Sequence, residues 1–280
     1  MANPTQELSP TARYGGMAFD AFIMERWDRA ADASQDKQQW DSLARQYLAM
    51  KPRDREPYHK EALRQRQRMA TDPGGAAAEL AADVIVTRVL PAMQTVQERN
   101  FCSRKLTHQT NDTALVRTHY GARHDAAYAA LARAAVGSTC VKESSVWDDQ
   151  ALYDVGDDWP RVLLRVPELG DELATLGEAD YYEGDGALDR DPPPASDRDA
   201  LEAWLWDRRL ATRLYVADRE ALENGMLKVF YLDPHGNAVW SHKFSTKVLL
   251  EYEGAWLSMS LAEINESFSL TRENGSELSI

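Results

Sequence analysis

Apolar residues recur every three or four positions in three successive runs near the start of the chain. That is the pattern of amphipathic helices sharing one core. Phe19, Phe22, Ile23 and Trp27 predict a first helix over 18–31. Trp40, Leu43, Tyr47 and Met50 predict a second over 34–50, with Ser34 or Asp36 able to cap it. A third is predicted over 53–69, with Tyr58, Ala62 and Leu63 inward and Pro52 and Asp54 suited to its entrance. The stretch Thr71-Asp72-Pro73-Gly74-Gly75 stops it, because Pro and Gly both oppose continuation. Residues 74–100 then read as a long Ala-rich helix that Pro91 bends or interrupts, and 101–112 as a polar loop.

From residue 113 the period changes. Residues 114–120 have strand character, and 125–136 form a helical pattern closed by Gly137. Further strands are predicted at 151–155, 162–166, 214–217, 227–232 and 238–244, and helices at 167–176, 197–206 and 261–268. Ser260 and Glu263 have capping-box spacing for the last helix. Asp233-Pro234-His235-Gly236 is a turn by composition, making 227–244 an antiparallel hairpin. Strands and helices without regular alternation indicate an α+β class overall. The expected division is a helical domain over 1–72, a connecting helix and loop over 73–112, and a mixed α/β domain over 113–280.

Composition adds a charge asymmetry. Residues 1–111 hold 16 Lys and Arg against 14 Asp and Glu, whereas 112–280 hold 16 against 31, within a chain of net charge −13. Such a contrast points to different partners for the two halves, or to one half shielding the other. Residues 178–198 form an acidic loop with three consecutive prolines, which reads as an exposed, solvated insertion, the alternative being a polyanion mimic that competes with DNA for the basic third helix. There is no apolar run of membrane-spanning length and no basic-then-apolar leader. The expectation is an intracellular protein, nuclear or cytoplasmic, with no membrane partner. On that basis the sequons at Asn111, Asn265 and Asn274 carry no meaning, and Cys102 and Cys140 read as separate reduced thiols.

Asp20-Ala21-Phe22-Ile23-Met24, followed by Tyr47, Met50, Asp54, Arg55, Glu56, Pro57, Tyr58 and Ala62, resembles a high-mobility-group (HMG) box over residues 19–69. The likeness implies a three-helix domain that lies in the minor groove of double-stranded DNA. It also implies that Ile23, beside Phe22, matches a wedge inserted between base pairs. The chain departs from the family in a shorter first helix, in Tyr14-Gly15-Gly16-Met17-Ala18 where a basic run is usual, and in Asp20 where the family has an Asn. Ile23 could equally pack against Trp40 and Tyr58. Residues 51–70 carry a net charge of +4, so Arg53, Arg55, Lys60, Arg64 and Arg68 are candidates to follow a phosphate backbone; a solvated helix surface has the same composition. Residues 113–268 are similar to a family of small intracellular domains, on Leu115-Val116-Arg117-Thr118, Ala127-Tyr128 and Trp256-Leu257-Ser258-Met259-Ser260. This implies a fold unit and no activity.

Motifs for nucleophilic catalysis, phosphate cradling and zinc are absent from the sequence, and no cofactor, metal or enzymatic activity is expected. Gly184-Asp185-Gly186 sits in the acidic loop, so it is no dinucleotide fingerprint. Arg117, His119, His124 and Asp125 form the nearest polar cluster, at a strand end where α/β proteins place ligands. Asp148-Asp149 and Asp157-Asp158 read as loop acids. The leading expectation is a non-enzymatic DNA-binding or chromatin-associated protein whose acidic half recruits a partner or restrains the box. The alternative is a protein-interaction or immunity-type protein whose acidic domain binds a basic partner. A third reading is an enzyme working around Arg117, His119 and His124.

Overall fold

The structure, a computed structural model, describes residues 7–9, 12–106, 113–138, 141–170, 193–194, 196–197, 199–200, 203–204, 213–256 and 263. The chain is mixed α+β and divides into two compact units. The first comprises Met1–Asn111, Pro160–Arg190 and Pro234–Asn237; the second comprises Asp112–Trp159, Asp191–Asp233 and Ala238–Ile280. Apart from Glu263, the predicted helix over 261–268, with its Ser260 cap, lies outside the described residues. So do most of the loop over 178–198, residues 171–176 of the helix predicted over 167–176, and half of that predicted over 197–206.

In the first unit the apolar spacing produces helices α1 (Ala18–Arg26), α2 (Asp36–Ala49) and α3 (Glu56–Thr71). Their inner faces close around aromatic rings set edge to face, with Phe19 on Trp40 at 5.1 Å and Phe22 on Tyr58 at 5.2 Å. Each such pair adds about 0.5–1.5 kcal/mol beyond burial. Helix α1 stops five residues short of the predicted end. The Asp28 carboxylate accepts from Ala30 N, an Asx turn that draws the backbone out of the helix after Trp27. Neither Ser34 nor Asp36 caps α2, whose N-cap is Gln35 with no side-chain hydrogen bond; Asp32 caps the 3-10 turn Ala33–Gln35 that leads into it, accepting from Ser34 N at 2.8 Å. Gly15 turns the chain into α1 at φ +87°, and a Cβ there would lie 2.7 Å from Leu80. Glycine is therefore needed on both conformational and steric grounds.

The single helix predicted over 74–100 is three. Helix α4 (Pro73–Ala82) ends at Asp83, a π-type turn spans Ile85–Val89, and α5 (Leu90–Met93) and α6 (Val96–Leu106) follow. Pro91 has no N–H to offer the preceding turn, which suits the wider hydrogen bonding just before it. Helix α6 also runs through residues 101–106, expected as loop. Its start is a capping box, with Glu98 Oε2 accepting from Thr95 N at 2.6 Å and Thr95 Oγ1 accepting from Glu98 N at 3.1 Å. Its face buries Phe101, Cys102 and Ser103. Cys102 is a free thiol that burial pushes up from its ordinary pKa; Cys140 lies outside the described residues.

The second unit is built on a five-stranded sheet of order β2-β1-β3-β4-β5. Its strands are β1 (Ala114–Arg117), β2 (Val146–Trp147), β3 (Arg213–Ala217), β4 (Met226–Leu232) and β5 (Ala238–Ser245). Strand β1 is parallel to β2 and β3, and β3, β4 and β5 are antiparallel. The hairpin pairs Leu227 with Phe244 and Val229 with His242. Leu115, Tyr215, Leu227, Val229, Tyr231 and Phe244 form a core with α7 (Asp125–Gly137), which contributes Tyr128, Leu131 and Ala135. Residues 151–155 are no strand: Asp149 caps a single turn, α8 (Gln150–Tyr153), by accepting from Ala151 N. Residues 162–164 lie in the 3-10 helix Trp159–Leu164, with Val162 and Leu163 buried, and form no strand. Among the described residues, helices α9 (Arg219–Asn224) and α10 (Leu249–Trp256) escaped sequence reading.

Candidate functional site

The residues proposed to meet DNA divide between the inside and the outside of the first unit. Phe22 and Ile23 have no exposed surface and belong to the aromatic core with Trp40, Tyr47 and Tyr58. Ile23 is therefore a packing residue, as its helical spacing allowed, and no wedge projects from α1. Ile23→Ala is expected to cost about 2–5 kcal/mol of stability. A thermal melt checks this, and a loss below 1 kcal/mol would contradict the burial.

Arg55 is a second correction. It is fully buried at the end of the 3-10 turn Pro52–Arg55. Its guanidinium donates to the carbonyls of Gly170 (3.0 Å), Leu48 (3.1 Å), Met50 (3.2 Å) and Pro234 (2.7 Å) and lies over the Tyr47 ring. A planar fork of donors suits this gathering of chain segments, and it leaves Arg55 facing no solvent. Asp20, which stands where the family has an Asn, is also buried. It accepts from Gly15 N and Met17 N and pairs with Arg99 at 2.7 Å.

Arg53, Lys60, Arg64 and Arg68 are exposed. Helix α3 buries Tyr58, Ala62, Gln65 and Met69 on one face, so its other side presents Lys60, Arg64 and Arg68 in consecutive turns. Each of these three has an acidic neighbour: Glu56 at 2.5 Å from Lys60, Glu61 at 2.9 Å from Arg64, and Glu79 beside Arg68. Exposed pairs of this kind are weak and exchangeable.

At the carboxyl end of β1, Arg117 is held from every side. Its Nε donates to His119 O at 3.0 Å, one terminal nitrogen meets Asp125 at 2.6 Å and the other approaches Asp148 at 3.6 Å. Its guanidinium lies 4.4 Å from the Tyr120 ring centre and 4.6 Å from that of Tyr128. Burial, reinforced by the Asp148 charge, pushes both tyrosine hydroxyls far above their ordinary pKa. Arg117 thus organises the loop, and the His119 and His124 rings lie beyond it with centroids 4.9 Å apart, their planes tilted by 54°. Burial, the Arg219 charge and that of His124 hold the His119 imidazole below its ordinary pKa. Among the described residues no three His, Cys, Asp or Glu are grouped so as to hold a metal ion. Among those residues too, no helix is long and apolar enough to cross a membrane. No protein-family model, curated protein or solved structure matches the chain.

Proposed function

We propose that the protein contacts a polyanion, double-stranded DNA foremost, through the outer face of α3, following the backbone without inserting a side chain between bases. The observation that carries this reading is the separation of α3 into a buried apolar face and an outer face bearing Lys60, Arg64 and Arg68, with Arg53 in the preceding turn. The HMG-box likeness supports the same helices as the contacting element, while the burial of Phe22 and Ile23 removes its intercalating step. Phosphate contacts supply affinity regardless of sequence, so the expected binding is weak, steeply salt-dependent and indifferent to base order.

The test is fluorescence anisotropy of a short duplex with the full chain over a salt series. Replacing Lys60, Arg64 and Arg68 together with Gln should reduce the slope of log affinity against log salt by about 2.7. Equal slopes for the variant and the natural chain, or no binding at the lowest salt, would dismiss the reading. The acidic half, with 31 acids against 16 bases over 112–280, would then be the element to pursue, with a basic protein as partner.

A further inference from the structure

Open α/β sheets bind ligands outside the carboxyl ends of their strands, where successive connections leave in opposite directions. This sheet has such a point. The chain leaves β1 for β2 on one side and reaches β3 on the other, with all three strands parallel. The residues that follow β1 and β3 meet there. The Thr118 amide donates to Ala217 O at 3.2 Å, and the Thr118 carbonyl accepts from Gly156 N at 2.7 Å.

Three polar side chains at this end are almost wholly buried, and the fold leaves them unsatisfied. Thr118 Oγ1, His124 Nδ1 and Tyr128 OH have no hydrogen-bond partner among the described residues, although the three residues are at most 5% exposed. An unmade hydrogen bond of this kind costs about 1–3 kcal/mol, and native folds keep few of them. The charges acting on His119 are those of Arg219, His124 and Arg123 against the single carboxylate Asp154. Glu223 stands 3.8 Å from His124 Nε2 and 3.4 Å from Arg123.

We propose that the carboxyl end of β1 and β3 binds a small molecule through a phosphate or carboxylate group, held by His119 and His124 with Arg219 as counter-charge. His124 Nδ1–H donates to the ligand, and Nε2 lies on the side of Glu223. The polar atoms left over by folding thereby become the recognition surface. The site lies in the second unit and shares no residue with the outer face of α3, so either proposal can fail alone.

The experiment follows the histidine Cε1–H signals of the full chain by NMR, against pH, at increasing inorganic phosphate and separately at increasing acetate. Chloride serves as the ionic-strength control. The expected result is a rise in the pKa of His119 and His124 that saturates with the oxyanion and is lost in Arg219→Ala, a substitution at an exposed position. Saturation with acetate as well as phosphate assigns the carboxylate class to the site, and saturation with phosphate alone assigns the phosphate class. A rise that grows linearly, that chloride reproduces, or that persists unchanged in Arg219→Ala overturns the proposal.

Discussion

Arg99→Met is expected to lower the stability of the first unit by about 3–5 kcal/mol, the cost of stranding a buried charge. Arg99 and Asp20 both have no exposed side-chain surface. All five guanidinium N–H groups are used. Nε donates to Ala12 O, one terminal nitrogen to Asp20 Oδ1 and Gln94 Oε1, and the other to Arg13 O and Asp20 Oδ2, all between 2.7 and 3.0 Å. Asp20 in turn accepts from Gly15 N and Met17 N, which anchors the first turn of α1. Met fills a comparable volume and satisfies none of these groups. Arg99→Lys keeps the charge but has three donors on a single nitrogen, so it should recover part of the loss and never all of it. Thermal unfolding of the three proteins orders them; a Lys variant as stable as the natural chain would refute the bidentate account.

That pair marks the boundary of what was legible in the sequence. Helices α1, α2 and α3 could be read because Phe19 and Phe22, Trp40 and Tyr47, and Tyr58 and Ala62 place apolar groups on one face by spacing alone. Strands β1, β3, β4 and β5 could be read for the same local reason, since their apolar runs are bounded by turn residues. Asp20 and Arg99 are 79 residues apart, and Arg55 reaches a carbonyl 179 residues away. A basic helix entrance and a buried clasp have the same local composition, so only tertiary packing separates them. Strand β2 is two residues long, too short for any alternation to register. Helix α9 was different, because its signal was present. Asp218 accepts from Ala221 N at the start and Gly225 closes the end at φ +65°, a cap and stop readable from Asp218 to Gly225. The Thr95–Glu98 capping box was likewise legible and would have extended α6 into residues 101–106.

The candidate site shows the same division. The polar cluster at the end of β1 was visible as a string of titratable residues, but its internal arrangement was not. Arg117, the most reactive-looking member, is the one consumed by structure, between Asp125, Asp148 and two tyrosine rings. The atoms left over belong to Thr118, His124 and Tyr128, and that they lack partners among the described residues is visible only in the fold. On α3 the reverse holds. Lys60, Arg64 and Arg68 are exposed as their spacing suggested, since residues opposite an apolar helical stripe have nowhere else to point.

Raising the pH from about 5 to above 8 is expected to weaken the first unit, and Glu168→Gln should abolish most of that dependence. Glu168 is buried beside the Asp20–Arg99 pair, with Gln94 Nε2 donating to its two oxygens at 3.2 and 3.0 Å. Nearby, Glu98 is matched by Arg165, at 2.7 and 3.0 Å. Asp20 and Glu98 thus each have a guanidinium, and a third carboxylate in the cluster is accommodated as the neutral acid. Burial first, and then the Asp20 charge, push the Glu168 pKa up to about 8 from 4.5. The sign of the pH effect follows from proton counts. Between those two values the folded chain keeps a proton that the unfolded chain has released, so stability falls as pH rises through the window. The fall is about 1.4 kcal/mol per pH unit and on the order of 5 kcal/mol in all, complete above about pH 8 and absent below the unfolded value. Gln has nearly the shape of the neutral acid and no proton to lose, so its variant should be the more stable protein at pH 8.5 and show little slope from Glu168. Amide hydrogen exchange in α1 and α6, corrected for intrinsic rates, reads this unit apart from the second. Parallel pH dependence in the natural chain and in Glu168→Gln would show that residue 168 is already ionised in the fold, and that the cluster tolerates an unmatched negative charge.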